Sequence, residues 1–197
     1  MQKLNKDEEN PYVLKHYHTI LEESESSGAL YLGDIIAAEN MLFLKNNNVT
    51  CILSVAKTRL MLPTHFPVNI LTIPVEDSPI ENLKKHFEAC FKFINENRIA
   101  KKNVLVHCMA GVSRSSTIVI GYLMNLNNFP YKEAYEFVKK RRTIISPNGG
   151  FMRQLKEYEL ELKDKGNPKK DEKQKETSSV KKITISGKKG IRFPGKG

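Results

Sequence analysis

The chain has 197 residues, a formal net charge of +10, three cysteines and no tryptophan. This length is enough for one medium-sized domain with a buried core. Three cysteines are too few for a disulfide scaffold, so we expect free thiols in a reducing compartment, the cytoplasm or the nucleus. The polar start, MQKLNKDEENPY, has no secretory apolar region, and the longest apolar run, TIVIGYLM, is too short to span a bilayer. We expect no membrane association.

The positive charge is concentrated at the C-terminal end. Residues 165–197 contain eleven Lys or Arg and three Asp or Glu, a net +8, which leaves only +2 for residues 1–164. The same stretch is rich in Lys, Gly, Ser and Pro and poor in apolar residues, so burial cannot offset the entropy lost on ordering it. We therefore predict a disordered Lys-rich tail over 165–197. Because the rest of the chain is nearly neutral, we expect no nucleic-acid partner.

The N-terminal segment, residues 1–27, is expected to lie outside the core. Its acidic EESESS stretch is typical of a flexible connection. Its apolar side chains are nevertheless spaced as on one face of a helix: Val13, Tyr17, Ile20 and Leu21. We predict a flexible segment that carries a short docked helix, followed by a single folded domain over 28–164, with a monomer as the default state.

Short apolar runs alternate with helical patterns through this domain. We predict strands at 29–32, 49–55, 68–73 and 102–107. We predict helices from Asp34, as a capping residue, to 46, and at 80–97, 114–127, 130–142 and from 146 onward. The alternation is typical of an α/β fold with a central, mostly parallel sheet covered by helices.

One stretch combines reactive and small residues at the predicted junction between the last strand and the following helix. It reads VHCMAGVSRSS and covers residues 106–116. Ligands of open α/β sheets bind at this edge, and the unpaired N–H groups of a helix's first turn favour an anion. Gly111 allows a tight turn, and the planar guanidinium of Arg114 can hold two phosphoryl oxygens at once. The stretch therefore predicts a phosphate-binding loop.

Cys108 lies at the start of this loop and is the candidate nucleophile. A free thiol is mostly protonated at neutral pH, whereas helix N–H groups and a nearby arginine stabilise the thiolate. A thiolate within a ring of phosphate-binding donors is placed to attack phosphorus. Cys51 and Cys90 lie inside apolar segments, so we interpret them as inert core thiols.

The segment HCMAGVSRSS resembles the active-site signature of the cysteine-dependent protein tyrosine phosphatases, and more narrowly that of their dual-specificity branch. The signature is His-Cys, five residues, Arg, then Ser or Thr. The stretches YLGDIIAAEN, IPVED, GYLM and ISPNGGFMRQL resemble the same family in the same order, so the resemblance covers about residues 29–160. It implies a dual-specificity phosphatase-like α/β domain. It also implies a two-step hydrolysis through a cysteinyl-phosphate on Cys108, without a metal or other cofactor.

The first step of such a reaction needs a general acid, and the sequence offers two carboxylic acids. Glu76 and Asp77 follow the strand predicted at 68–73, so their loop should lie at the same sheet edge as Cys108. The residue pattern alone does not choose between them. The family pattern favours Asp77, which precedes Cys108 by 31 residues.

The resemblance also implies roles for residues around the nucleophile. Ser115 would donate a hydrogen bond to the departing sulfur, His107 would brace the loop, and Asn148 would bind near it. The phosphate would be held by the loop itself: Met109, Ala110, Gly111, Val112, Ser113 and Arg114.

We predict that the substrates are proteins that carry phosphotyrosine and phosphoserine or phosphothreonine. The absence of tryptophan and the short core are unlike classical tyrosine-specific phosphatases and favour a shallower site. Phosphatases of a phosphoinositide or of an RNA 5′-triphosphate remain alternatives, although Arg114 is the loop's single cation. A phosphoprotein-binding pseudophosphatase is a further alternative, but Cys108, Arg114 and Asp77 are all present.

The tail suggests one class of partner. Mitogen-activated protein kinases often recognise a basic cluster next to two apolar residues that flank one other, and Lys181 and Lys182 directly precede Ile183 and Ile185. We therefore consider these kinases as candidate partners.

Overall fold

The computed structural model describes residues 15–165, and within this range it contains a five-stranded sheet. The strands are β1 (Tyr17–Leu21), β2 (Leu30–Gly33), β3 (Val49–Ser54), β4 (Asn69–Thr72) and β5 (Asn103–His107). Their order is β1-β2-β5-β3-β4; β1 is antiparallel to β2, and the other neighbours are parallel. The structure confirms the predicted α/β fold with a mostly parallel sheet. Except for Lys165, the predicted tail lies outside the described residues.

Six α-helices accompany the strands in the described part of the chain. They are α1 (Ile35–Glu39), α2 (Met41–Asn46), α3 (Phe87–Ile99), α4 (Arg114–Asn127), α5 (Tyr131–Arg141) and α6 (Gly149–Lys165). A short 3-10 helix, Lys84–His86, leads into α3. No helix among residues 15–165 is both long and apolar enough to cross a bilayer.

The sheet separates two hydrophobic cores. Leu30 and Leu32 of β2 face the larger core, which also contains apolar side chains of α3, α4, α5 and α6, whereas Tyr31 faces the smaller one with α1 and α2. Strand β5 is buried along its whole length, as expected for a parallel strand covered on both faces. The last helix, α6, contributes one apolar face to the larger core, since Phe151 and Leu155 are fully buried.

The strand register brings three connecting loops to one edge of the sheet. Gly33 of β2 and Ser54 of β3 both lie opposite His107 of β5. The residues that follow these positions, among them Asp34 and Cys108, therefore emerge side by side at the carboxyl ends of the parallel strands.

The helix predicted across Val13–Leu21 is wrong over the described residues, because Tyr17–Leu21 forms edge strand β1. Its backbone pairs with β2, and the Tyr17 ring stacks on Phe43 with 3.7 Å between ring centroids. Tyr17 and Phe43 belong to the smaller core, whereas Ile20 is buried in the larger one. Pairing with the otherwise open edge of β2 outweighs the helical spacing. The ordered sheet thus begins before residue 28.

Two of the predicted helices differ in the structure: the one predicted from Asp34 to 46 is divided into two, and the one predicted from 80 starts later. Asp34 caps α1 by accepting a hydrogen bond from Ala37 N, as expected, but the helix ends and a new one begins at Asn40, whose side chain caps α2. The helix predicted from 80 begins only with the 3-10 turn at Lys84. The residues before it form a loop that contacts the start of α6.

Candidate active site

The segment from Cys108 to Ser113 connects β5 directly to α4 and forms a compact loop. Cys108 is only 1% exposed, and Ser113 and Arg114 at the other end of the loop are also buried. The strand fixes the start of the loop and the helix fixes its end. The thiol is therefore held at the bottom of a loop whose two ends cannot separate.

Carbonyl groups along this loop accept hydrogen bonds from the surrounding elements. Ile35 N donates to Met109 O at 3.1 Å, and Ser146 N donates to Val112 O at 2.9 Å. The buried Arg142 donates to Gly111 O at 2.9 Å and to Ala110 O at 3.3 Å. These contacts fix the orientation of the peptide planes from the outside of the loop.

The backbone N–H groups of the loop, unlike these carbonyl groups, have no hydrogen-bond partner in the described part of the protein. Within residues 15–165, the backbone N–H groups of 109–114 donate to no protein acceptor. Since buried backbone donors are normally paired, a row of available N–H groups at a helix N-terminus is typical of an anion-binding site. The loop can surround a phosphoryl group with backbone donors.

Gly111 is required by this loop geometry. Its φ of +64° lies in the left-handed region, and a Cβ atom there would be 2.5 Å from Gly33 O and 2.8 Å from an Arg142 nitrogen. A larger residue would force the loop away from β2 and from the arginine that holds it.

Arg114 lies at the first turn of α4, with its guanidinium against residues 75–81, the acid loop, which follows β4 and contains Asp77. Its Nη1 donates to Val75 O at 3.2 Å, and its Nε lies 3.8 Å from Asp77 Oδ2. The buried Nε makes no hydrogen bond within the described part of the chain. The guanidinium is thus positioned by one backbone contact and keeps donor capacity for phosphoryl oxygens.

Ser115 and His107 both contact Cys108. Ser115 Oγ, which is fully buried, donates to Cys108 Sγ at 3.2 Å. His107 Nδ1 lies 3.1 Å from Cys108 O, so this nitrogen carries the hydrogen that the carbonyl accepts. Burial lowers the pKa of His107 to about 4, so the imidazole is neutral near neutral pH. Its contact is to the backbone, which suits a bracing role.

Asp77 is held over the loop by two donors on the same oxygen. Ser113 Oγ donates to Asp77 Oδ1 at 2.7 Å, and Asn148 Nδ2 donates to it at 2.8 Å. Asn148 is itself fixed, because its backbone N–H donates to Ser113 Oγ at 3.1 Å and its Oδ1 accepts from Phe151 N at 3.0 Å. Within residues 15–165, the other carboxylate oxygen, Oδ2, makes only the longer contact with Arg114, 3.8 Å from its Nε. This oxygen is the one available to a substrate.

Glu76, the other candidate acid, has a different environment. Its Oε1 forms an ion pair with Lys57 Nζ at 2.7 Å at the surface. The hydrogen bond and the positive charge of Lys57 lower the pKa of Glu76, which favours the ionised form. The structure therefore brings Asp77, but not Glu76, into the hydrogen-bond network of the loop.

The start of α6 holds the acid loop in place. A Cβ atom on Gly150 would be 1.9 Å from Pro79 O, which shows how closely the two segments approach. Gln154 bridges them further by donating to Glu81 O at 2.7 Å and accepting from Lys84 N at 2.8 Å. These contacts hold residues 79–84 against α6, and α3 itself begins only at Phe87.

Arg142 is a site residue that the sequence patterns do not indicate. Besides its two loop contacts, its Nη1 donates to Lys15 O and to His18 Nδ1, each at 3.0 Å. The residue is 31 positions from Gly111 and 127 from Lys15. Only the folded arrangement reveals that one cation joins the loop to the N-terminal strand.

The family model of the dual specificity phosphatase catalytic domain matches residues 30–161. Dual specificity protein phosphatase 5 from Rattus norvegicus is 45% identical over 134 residues, 68% of this chain, but the match spans about a third, 34%, of that relative's length. Dual specificity protein phosphatase 22 from Mus musculus is 45% identical over 66% of this chain and 70% of that protein.

Solved structures show the same fold. The crystal structure of DUSP15 covers 73% of this chain and 90% of its own, with a TM-score of 0.66 and 36% identity. The structure of human tyrosine phosphatase-like serine/threonine/tyrosine-interacting protein covers 74% of this chain and 97% of its own, with a TM-score of 0.67 and 30% identity. Since the family model matches two thirds of the chain and includes the whole Cys108–Arg114 loop, the chain belongs to the dual specificity phosphatase family.

Proposed function

We propose that this protein hydrolyses phosphotyrosine and phosphoserine or phosphothreonine in proteins, with Cys108 as the nucleophile. The observation that carries the proposal is the position of the Cys108 thiol within a loop whose backbone N–H groups have no acceptor among the described residues, while carbonyl groups of the loop accept hydrogen bonds from Ile35, Arg142 and Ser146. Membership of the dual specificity phosphatase family supports the same activity.

In the proposed first step, Cys108 Sγ forms a bond to phosphorus as the bond from phosphorus to the substrate oxygen breaks. Arg114 and the loop N–H groups bind the phosphoryl oxygens. Asp77 gives its proton to the leaving oxygen. Because Ser113 and Asn148 both donate to Oδ1 of Asp77, its other oxygen, Oδ2, is the one left for this transfer.

In the proposed second step, water attacks phosphorus and the bond from sulfur to phosphorus breaks. The ionised Asp77 accepts a proton from this water. The hydrogen bond from Ser115 Oγ to Cys108 Sγ, 3.2 Å long, stabilises the thiolate that leaves. Inorganic phosphate is released and the thiolate is restored.

The charge of the loop favours substrates with a single phosphoryl group at the site. Arg114 is the only cationic side chain between Cys108 and Ser116. A phosphoinositide with several phosphates or an RNA 5′-triphosphate would carry further negative charge without a matching cation in the loop. A binding-only role is less favoured because Cys108, Arg114 and Asp77 are all present and Arg114 Nε lies 3.8 Å from Asp77 Oδ2.

We further propose phosphorylated proteins as partners, with mitogen-activated protein kinases as a specific candidate. The motif that suggests these kinases, at Lys181–Ile185, lies outside the described residues. The cytoplasm or the nucleus is the proposed compartment, because Cys51, Cys90 and Cys108 are all free thiols, as proteins of reducing compartments usually have.

The experiment compares the wild-type protein with Cys108→Ser on phosphotyrosine and phosphothreonine peptides and on an aryl phosphate. The wild type should release phosphate from all three. Cys108→Ser should release none, while a thermal-shift measurement still detects binding of tungstate or vanadate. Phosphate release by Cys108→Ser, or release by the wild type only from a phosphoinositide or an RNA 5′-triphosphate, would refute the proposal.

A further inference from the structure

A groove lies between the segment after β3 and one face of β4. It has a volume of about 400 Å³, and its walls include alternate residues of the β4 region, Val68 and Ile70, which therefore point to the same face. Leu60, Leu62 and Phe66 add further apolar surface from the preceding segment. The space is large enough for one or two large side chains.

The groove begins at the active site. Thr58, one of its lining residues, donates through Oγ1 to Sδ of Met109 at 3.2 Å, and Met109 directly follows the candidate nucleophile. Lys57, the neighbouring lining residue, is bonded to Glu76, which precedes the candidate acid. A chain that places a phosphorylated residue in the loop would pass this end of the groove.

The charged side chains that line the groove are all positive. Its lining contains two basic side chains, Lys57 and Arg59, and no acidic one. Lys57 is neutralised by Glu76, whereas the exposed Arg59 makes no hydrogen bond or ion pair within residues 15–165. A groove whose walls combine apolar side chains with a guanidinium that no residue in 15–165 pairs complements a ligand that has a large apolar side chain next to an acidic one.

We propose that this groove binds the part of a phosphoprotein substrate that flanks the phosphorylated residue, through an apolar side chain against Ile70 and Phe66 and an acidic side chain on Arg59. The proposal rests on the proposed phosphatase function, because it places the phosphorylated residue in the Cys108 loop. The protein's own C-terminal tail is a poorer occupant, since its charge of +8 has the same sign as Arg59.

The test measures peptide affinity separately from turnover. Fluorescent phosphotyrosine peptides with flanking Leu and Glu, on either side of the phosphorylated residue, are compared with peptides that have Ala at these positions. Binding is measured by fluorescence anisotropy with the Cys108→Ser protein, which does not turn the peptide over. The ratio kcat/KM is measured with the protein that keeps Cys108. With the wild-type groove, the peptide that has Leu and Glu on one particular side of the phosphotyrosine should exceed its Ala counterpart by about tenfold, both in affinity and in kcat/KM.

Two groove variants and two matched controls assign this preference. Arg59→Glu should abolish the preference for the Leu/Glu peptide and favour a peptide with Lys in place of Glu. Ile70→Ser should reduce the ratio of affinities for the Leu/Glu and Ala peptides by about threefold or more. Lys132→Glu on α5, which packs near the opposite sheet edge, and Ile99→Ser at the exposed end of α3 should leave it unchanged. An equal affinity for Leu/Glu and Ala peptides, or an unchanged preference in both groove variants, would overturn the groove proposal.

The two proposals fail in different ways. If the wild type releases no phosphate from any peptide or aryl phosphate, the proposed activity is wrong, and the anisotropy measurements still decide the groove. If phosphate is released from the aryl phosphate and from all peptides with equal efficiency, and the affinities are equal, only the groove proposal is wrong.

Discussion

Arg142 Nε donates to the carbonyl oxygen of Gly111 at 2.9 Å, although the two residues lie on different elements and 31 positions apart. The guanidinium is fully buried and also bonds Ala110, Lys15 and His18. By holding two consecutive loop carbonyls, Arg142 fixes the peptide planes whose N–H groups would bind phosphate. It is a positioning residue, since it acts through the loop.

Replacing Arg142 with lysine should reduce activity through loss of this positioning. A lysine keeps the charge but lacks the planar set of donors that reaches Gly111, Ala110 and His18 together. We expect kcat/KM for an aryl phosphate to fall about ten- to a hundredfold, because small displacements of catalytic groups are costly. The inhibition constant for vanadate should rise in parallel.

The neighbouring Arg141 offers a control. It stacks its guanidinium on the Phe137 ring at 3.5 Å, and within residues 15–165 it makes no hydrogen bond or ion pair with the loop. Arg141→Lys should leave kcat/KM and vanadate inhibition near the wild-type values. If Arg142→Lys keeps wild-type vanadate inhibition while only its melting temperature falls, Arg142 supports the fold and not the loop geometry.

Asp77→Asn should slow the first step by about 10²- to 10⁴-fold, the usual contribution of a general acid. Asparagine can still interact with Ser113 and Asn148 but cannot donate a carboxylic proton. The decline of the rate at alkaline pH should also disappear. Glu76→Gln is the matched comparison, because the Lys57 ion pair lowers the pKa of Glu76 and leaves it ionised. An alkaline decline that vanishes in Glu76→Gln instead would reverse the assignment.

Ser115→Ala should slow the second step more than the first. The hydroxyl donates to Cys108 Sγ, and a thiolate that must leave from phosphorus gains most from this bond. We therefore expect a rapid burst of aryl alcohol followed by a slower steady state, with a cysteinyl-phosphate detectable by mass spectrometry after acid quenching. Equal slowing of the burst and of the steady state would place Ser115 in the first step as well.

The fold could be predicted largely from local pattern. The apolar runs that become β3 and β5 are buried on both faces, which gives them a signal independent of their neighbours. Strand β1 could not be predicted in this way. It is an edge strand whose structure depends on pairing with β2, and its side chains contact both cores.

The site was predictable where its residues lie close in sequence. Cys108, Arg114 and Ser115 belong to one strand-loop-helix junction, so their types and spacing carry the information. Asp77 could be predicted across 31 positions with the help of the family pattern, whereas no motif marks Arg142 or the Thr58–Met109 contact, which join residues 31 and 51 positions apart. Nothing in a single sequence indicates that these pairs meet.

Oxidation of Cys108 by peroxide should not produce a disulfide with either other cysteine. In the parallel register Cys51 lies opposite Val104, four residues before Cys108, a distance of roughly 13 Å along an extended strand. Disulfides require Cα atoms within about 7 Å. Burial raises the pKa of Cys90 to about 12, so its thiol remains protonated and is a poor attacking group.

The products can be identified by mass spectrometry of the intact and digested protein. Peroxide should inactivate the protein with oxygen added at Cys108, and vanadate bound beforehand should slow both changes. The variants Cys51→Ser and Cys90→Ala should be inactivated at the wild-type rate. A mass loss of two hydrogens with a peptide that links Cys108 to Cys51 or Cys90 would contradict this prediction.

Acid should destabilise the fold partly through His18. Burial, Arg142 and Lys15 together lower its pKa to about 4, and its Nδ1 accepts a hydrogen bond from Arg142, which requires a neutral ring. In the unfolded chain a histidine has a pKa of about 6.5. Between these values the unfolded chain binds a proton that the folded chain does not, so stability falls as the pH decreases from about 6.5 toward 4.

His18→Gln removes this proton while a side-chain oxygen can still accept from Arg142. Urea unfolding at about pH 7 and about pH 5 should show a smaller loss of unfolding free energy for His18→Gln than for the wild type. His107, whose pKa is also about 4, should preserve part of the wild-type acid sensitivity in this variant. His65→Gln, at an exposed position, is the control and should lose as much stability as the wild type. If His18→Gln and His65→Gln lose equal stability between these pH values, protonation of His18 does not contribute to acid unfolding.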